Sequence, residues 1–208
     1  MLVEPSRKYG ILDTLIASDG AGMKHLHQKA GGSRMPPTAE TVAKRLHYVH
    51  QEGAQVYKHA VARMAEVATE LMRRNRLTKD TVDWLVPHQA NMRIIEATAE
   101  RMKIPPERVM VTIDKYGNTT AGTIPLCLWD YEKKLKAGDR LILAAFGGGF
   151  TWGGIYMTWA YDARSPRSEG RAGEVARPKG AGRGLAGRLA NMLKAPFAFP
   201  APSLRRGG

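Results

Sequence analysis

Residues 155–161 carry apolar side chains on both faces of a strand, and no other feature of the chain restricts its fold as much. A strand with no face for water belongs inside a sheet that helices cover. Residues 82–86, stopped by Pro87, and residues 109–113 and 141–146 read as further short buried strands. Residues 10–19 alternate weakly, end at a Gly-rich turn and read as one more. Helical periods separate these runs. Over 54–74, Tyr57, Ala60, Val61, Met64, Val67, Ala68 and Leu71 recur at three- and four-residue steps and draw one apolar stripe. Arg73 and Arg74 suit the carboxyl end of that helix, where cations complement its dipole. Residues 91–102 return to helical spacing through Ile95, Thr98, Ala99 and Met102, until Pro105 and Pro106 break it. Residues 120–136 read as a third helix, with Pro125 near the first turn, where proline is tolerated. The order strand–helix–strand–helix–strand–helix–strand–strand predicts an α/β layered fold with a largely buried mixed sheet. Residues 20–52, with Gly31-Gly32, Pro36-Pro37 and four histidines, read as an irregular excursion.

Charge first suggests nucleic acid, since the formal net charge is +13. Its distribution argues otherwise. Residues 163–208 hold ten Lys/Arg against two Glu, together with eight Gly and five Pro, whereas residues 1–162 carry a net of only +5. That composition predicts a disordered basic tail behind a folded domain spanning 1–162. Within the tail, 185–193 is amphipathic enough to touch an anionic surface. No run of about 18 apolar residues offers a membrane span, and the amino terminus has no signal-peptide core, so a cytoplasmic protein is expected. The single cysteine, Cys127, excludes an internal disulfide and a multi-cysteine metal site.

Three segments carry chemistry. In Val86-Pro87-His88-Gln89-Ala90-Asn91 a histidine follows a buried strand and precedes a helix, at the strand edge where α/β sheets bind ligands. A packed or solvated histidine fits the same position. Tyr116-Gly117-Asn118-Thr119-Thr120-Ala121-Gly122 is small and polar ahead of a helix, which also suits ordinary turn and cap chemistry. Phe146-Gly147-Gly148-Gly149-Phe150-Thr151-Trp152-Gly153-Gly154 has three glycines after a strand, which let backbone N–H groups approach a developing oxyanion, and it equally suits a tight hairpin. It is neither a phosphate-binding loop nor a dinucleotide fingerprint, because no Gly-Lys-Ser/Thr follows and Trp152 stands at the last glycine position.

In order and at their spacing, VPHQAN, GNTTAG with Asn118 thirty residues after His88, and AFGGGFTWG resemble β-ketoacyl-acyl-carrier-protein synthase III. The resemblance runs from about Gly10 to Tyr161 and includes VYKHAV at 56–61 and SRMPPT at 33–38. It implies one half, the carboxyl-terminal one, of a thiolase-like layered fold, with the excursion contributing to substrate tunnel and dimer contact. It implies a transferase of fatty acid biosynthesis that condenses acyl-CoA with malonyl-acyl carrier protein through an acyl-cysteine, without a cofactor. His88 and Asn118 match the polar members of its Cys-His-Asn triad. Gly148 matches an oxyanion N–H donor, and Phe146 a neighbour of the cysteine. Gln89, Ala90, Asn91, Met92 and Arg93 match its carrier-protein docking segment, with Lys58 on the preceding helix.

Decarboxylation leaves an enolate oxygen that needs two hydrogen-bond donors, and a neutral imidazole N–H with an amide NH₂ would supply them. The family's nucleophilic cysteine lies in its amino-terminal half, and Cys127, flanked by Leu126 and Leu128, reads as a small hydrophobe instead. The chain alone is therefore expected to be inactive and to need an amino-terminal half, in cis or in trans, within a homodimer. A non-catalytic acyl- or carrier-protein-binding module, or one subunit of a split enzyme, is the alternative. Nucleic-acid binding rests on the tail alone.

Overall fold

The computed structural model describes residues 5–162, so the reading of 163–208 lies outside the described residues. Strand β1 (Gly10–Ser18) is followed by a 3₁₀ turn, the three-residue strand β2 (Leu26–Gln28) and the short helix α1 (Ala39–Ala43). Strand β3 (Val49–Gln51) pairs antiparallel with β2 and closes the excursion as a small ribbon. Helix α2 (Gly53–Arg74) buries the expected stripe of Ala60, Val61, Met64, Val67, Ala68 and Leu71. Each larger apolar side chain so buried contributes about 1.5–3 kcal/mol.

Strand β4 (Trp84–Pro87) leads to α3 (Met92–Met102), whose first turn is capped by Asn91: its Oδ1 accepts the Arg93 N–H at 2.9 Å. A single helical turn, α4 (Ile113–Tyr116), and a 3₁₀ turn precede α5 (Thr123–Tyr131). Strands β5 (Arg140–Gly147) and β6 (Thr151–Thr158) form an antiparallel hairpin. The sheet order is β1-β6-β5-β4, with β4 parallel to β5 and the other pairs antiparallel. The sheet is mixed, as expected.

Its helices lie in two layers. On one face Leu71, Met64 and Ile95 of α2 and α3 pack with Ile142, Ala144 and Tyr156 of the hairpin. On the other, Cys127 and Leu128 of α5 pack with Val86, Leu141, Leu143 and Trp159.

Three expectations need correction. Residues 109–113 are not a strand: Val109 makes one bridge to Leu85, and the chain then turns into α4. The helix expected over 120–136 is α-helical only over Thr123–Tyr131: Thr120 takes φ +51 and cannot start α-helix geometry, and a 3₁₀ turn over Glu132–Lys134 leads into extended Leu135. The sheet is also less covered than its composition implied. Ile11, Leu12 and Ile16 on β1 are exposed, as is Trp129 on α5.

Candidate active site

β4 and β5 run parallel, so both deliver their carboxyl ends to one edge, where crevices form in α/β sheets. His88 follows β4 and is fixed by its backbone N–H donating to Ala144 O at 2.8 Å. Gly147 ends β5. Between them opens a cleft of about 500 Å³ lined by His88, Asn118, Phe146, Gly148, Thr151 and Trp152, among others. The three motifs thus meet in one place. His88, Asn118, Phe146 and Gly148 all border this cleft.

Asn118 is held by its own turn. Its Oδ1 accepts the Thr120 N–H at 2.9 Å, which leaves the NH₂ group to the cleft. His88 Nδ1 lies 2.7 Å from Thr123 Oγ1, and burial pushes the imidazole pKa below its usual value, favouring the neutral ring. Phe146 stacks obliquely on Phe150 with ring centroids 4.8 Å apart. The Phe150 backbone clamps the end of β1, donating to Asp19 O at 2.7 Å and accepting from Asp19 N at 2.8 Å.

The docking segment divides. Arg93 is exposed, with its guanidinium 5.3 Å from the Tyr57 ring, so it stands beside the α2 turn that carries exposed Lys58. Met92 is exposed, Ala90 half-buried, and Asn91 spends its side chain on the helix cap. Gln89 departs from its expected role. It is 1% exposed, and its amide donates to Pro87 O at 2.8 Å and Met110 O at 3.1 Å while accepting from Thr112 and Ile113 N–H. A side chain with every hydrogen-bonding position filled inside the protein has nothing left for a partner. Cys127 is absent from the cleft lining, is fully buried, and pairs with Thr112 Oγ1 at 3.2 Å.

Sequence reading missed Thr123 and Ile16, and it gave no role to Thr151, which lies within the AFGGGFTWG segment. Thr123 had a visible signal in its place at the start of a helix after the Asn118 turn, but nothing in the spacing pointed it at His88. Ile16 reaches the cleft only through the pairing of β1 with β6, which no local pattern encodes.

The same layers recur in the crystal structure of 3-oxoacyl-[acyl-carrier-protein] synthase III from Aquifex aeolicus VF5. That chain is 35% identical, with a TM-score of 0.65 over 76% of this chain and 47% of that one. The corresponding enzyme from Thermus thermophilus is 34% identical, with a TM-score of 0.66 over 76% and 48%. Sheet, helical layers and cleft define a thiolase-like α/β fold.

A family profile for the carboxyl-terminal part of 3-oxoacyl-[acyl-carrier-protein] synthase III matches residues 72–159. Beta-ketoacyl-[acyl-carrier-protein] synthase III 2 of Bacteroides thetaiotaomicron is 52% identical over 164 residues, 78% of this chain and 49% of that protein. The synthase III of Chlorobaculum tepidum is 55% identical over 154 residues, 73% and 47%. The chain belongs to the β-ketoacyl-[acyl-carrier-protein] synthase III family. It spans about half the length of the curated relatives it matches.

Proposed function

We propose that this chain supplies the decarboxylation side of a β-ketoacyl-acyl-carrier-protein synthase III site. There a malonyl group on acyl carrier protein loses carbon dioxide and attacks an acyl-cysteine formed from acyl-CoA. The observation that carries this reading is the convergence of His88 and Asn118, thirty residues apart, on one cleft bordered by Phe146 and Gly148. His88 and the Asn118 NH₂ would hold the enolate oxygen, the charge that develops as carbon dioxide leaves. Gly148 would offer a backbone donor to the thioester oxygen, and Phe146 would wall the cysteine.

Carrier-protein docking falls to Arg93 and Lys58. Both are exposed, and they suit an acidic partner or the phosphate of a phosphopantetheine arm. In this reading the assembled enzyme is a cytoplasmic homodimer.

The nucleophile must come from outside these 208 residues, since the only cysteine is buried in the second core. Exposed Ile11, Leu12, Ile16 and Trp129 support a further segment packing against this one, because large exposed apolar side chains in number mark interfaces. The sealed cysteine also favours a second reading, a binding module without chemistry. One experiment separates the two. The chain is co-expressed with a cysteine-bearing amino-terminal half of a relative, and carbon dioxide release from malonyl-acyl carrier protein is followed. Release by the pair and none by the chain alone supports the condensing site. Carrier binding without release supports the module.

A further inference from the structure

Asp130 of α5 accepts from two neighbouring residues of α4. Its Oδ1 takes the Tyr116 hydroxyl at 2.7 Å and its Oδ2 the Lys115 ammonium at 2.6 Å. The Asp130 side chain is 11% exposed, so the carboxylate sits at the join of the two helices rather than in open solvent. Lys115 first, and then Tyr116, hold its carboxyl below the ordinary pKa, and hydrogen bonds to an ionised acceptor are the strong kind. Tyr131, the next residue, accepts the Val111 N–H at 3.2 Å through its hydroxyl. Two consecutive residues of α5 thus grip both ends of the segment 111–116.

That segment leads straight into the turn that carries Asn118. Residues 117–122 run from α4 into α5 and hold two left-handed positions, Gly117 at φ +64 and Thr120 at φ +51. Glycine adopts the first freely, whereas a β-branched threonine keeps the second only where its surroundings hold it there. Bonds inside the turn are local: Asn118 Oδ1 accepts the Thr120 N–H at 2.9 Å, and Thr119 O the Gly122 N–H at 3.0 Å. They set the shape of the turn and not its place. Helix α4 is a single turn, too short to hold itself in water. Its place is set by bonds that cross to other elements, and Asp130 makes two of these.

We infer that Asp130 is a positioning residue for Asn118: by tying α4 to α5 it fixes the turn that keeps the Asn118 amide at the cleft. Asp130 is not among the residues that line the cleft, and it acts through the turn alone. Applied to catalysis, the inference rests on the condensing-site reading. The brace itself does not.

Amide hydrogen exchange, followed by NMR on the full ¹⁵N-labelled chain, reads the brace without substrate. Asp130→Ala should speed exchange at Gly117 and Thr120 by at least about tenfold, the ratio that one hydrogen bond to a charged group commands, and leave the amides of α2 unchanged. Tyr116→Phe, which removes one donor, should give a smaller increase at the same two amides. Asp130→Glu, which keeps both acceptor oxygens, should restore most of the protection. In the enzyme reconstituted with a cysteine-bearing half, Asp130→Ala should lower carbon dioxide release about tenfold and leave acyl labelling of the cysteine unchanged. It should add nothing in an Asn118→Ala background, since a residue that acts through Asn118 has no effect once that amide is gone. Unchanged exchange at Gly117 and Thr120 overturns the proposal. So does equal acceleration in α2, the mark of a general loss of stability, or a full further loss on top of Asn118→Ala. Should Asp130→Ala not fold, exchange in Tyr116→Phe decides by the same two amides. Normal carbon dioxide release by Asn118→Ala would remove the condensing-site role of that residue, and exchange would still judge the brace.

Discussion

Gln89 Oε1 accepts the backbone N–H of Thr112 at 2.8 Å, and through it the loop after β4 is bolted to the segment that leads into α4. The same oxygen takes the Ile113 N–H at 3.2 Å, while the amide nitrogen serves two carbonyls. Gln89→Ala removes the side-chain partner of four backbone groups, three of them on buried residues, at about 1–3 kcal/mol for each buried group left unsatisfied and not additive between them. The expected cost is about 2–4 kcal/mol, read as a lower midpoint in urea denaturation. Carrier-protein affinity of whatever remains folded should be unchanged. A stable Gln89→Ala variant that binds carrier protein weakly would return Gln89 to the docking surface.

The same bonds explain what the sequence concealed. Residues 109–113 look like a strand because Val109 and Met110 are apolar and buried, yet β-structure needs a ladder of backbone partners. Gln89, more than twenty residues earlier, takes the Thr112 and Ile113 amides that a neighbouring strand would have used. Side-chain substitution for a ladder leaves no trace in local periodicity. The long helix α2 was legible because its stripe is long and unbroken, and the β5–β6 hairpin because its glycines punctuate it. The cleft was legible as a set of residue identities. Its hydrogen-bond partners were not, since they depend on where Thr120 and Thr123 sit in space.

In an enzyme reconstituted with a cysteine-bearing half, His88→Ala and Asn118→Ala should each lower malonyl decarboxylation by about 10²–10³, the effect of losing one oxyanion donor. Transfer of the acyl group to the cysteine should suffer less in Asn118→Ala. The two steps are measured apart, by released carbon dioxide and by acyl label on the protein. Normal carbon dioxide release by either variant would remove that residue from the site.

Acid should weaken the fold through His88. Burial lowers its pKa, so between the lowered value and the ordinary value of about 6.5 the unfolded chain binds a proton that the folded chain does not. Stability therefore rises with pH through that window. The penalty is complete below the folded pKa and gone above the unfolded one. His88→Gln should flatten this part of the acid limb when Tm is followed from about pH 7.5 to pH 5. Identical slopes for the two proteins would show that the ring titrates freely.

Gly22 stands where no side chain fits. A Cβ there would lie 2.2 Å from Cδ2 of Phe150, a ring that is 1% exposed and backed by Phe146 of the cleft. Overpacking of this kind costs about 1–3 kcal/mol. Gly22→Ala should lower Tm by several degrees and, in the reconstituted enzyme, reduce turnover through displaced Phe146. The double variant Gly22→Ala with Phe150→Leu should recover part of the lost stability. No recovery would mean that the strain lies elsewhere.

Cys127 invites pairing with His88 as a cysteine–histidine nucleophile, and its surroundings oppose that role. The side chain is fully buried in α5, among Val86, Met110, Leu128 and Leu141. A thiolate there would lose its hydration with no cation to replace it, and burial accordingly raises the pKa; the Thr112 hydroxyl offsets only part of this. The residues that line the cleft do not include it. Cys127→Ala should cost about 1 kcal/mol, for one weak hydrogen bond and a small void, and should leave condensation in the reconstituted enzyme intact. Iodoacetamide should alkylate Cys127 at least about 10²-fold more slowly in the native chain than in denaturant, the factor that accompanies an opening cost of about 3 kcal/mol. Fast alkylation of the native chain, with loss of decarboxylation in step, would make Cys127 a working thiol and overturn its assignment to the core.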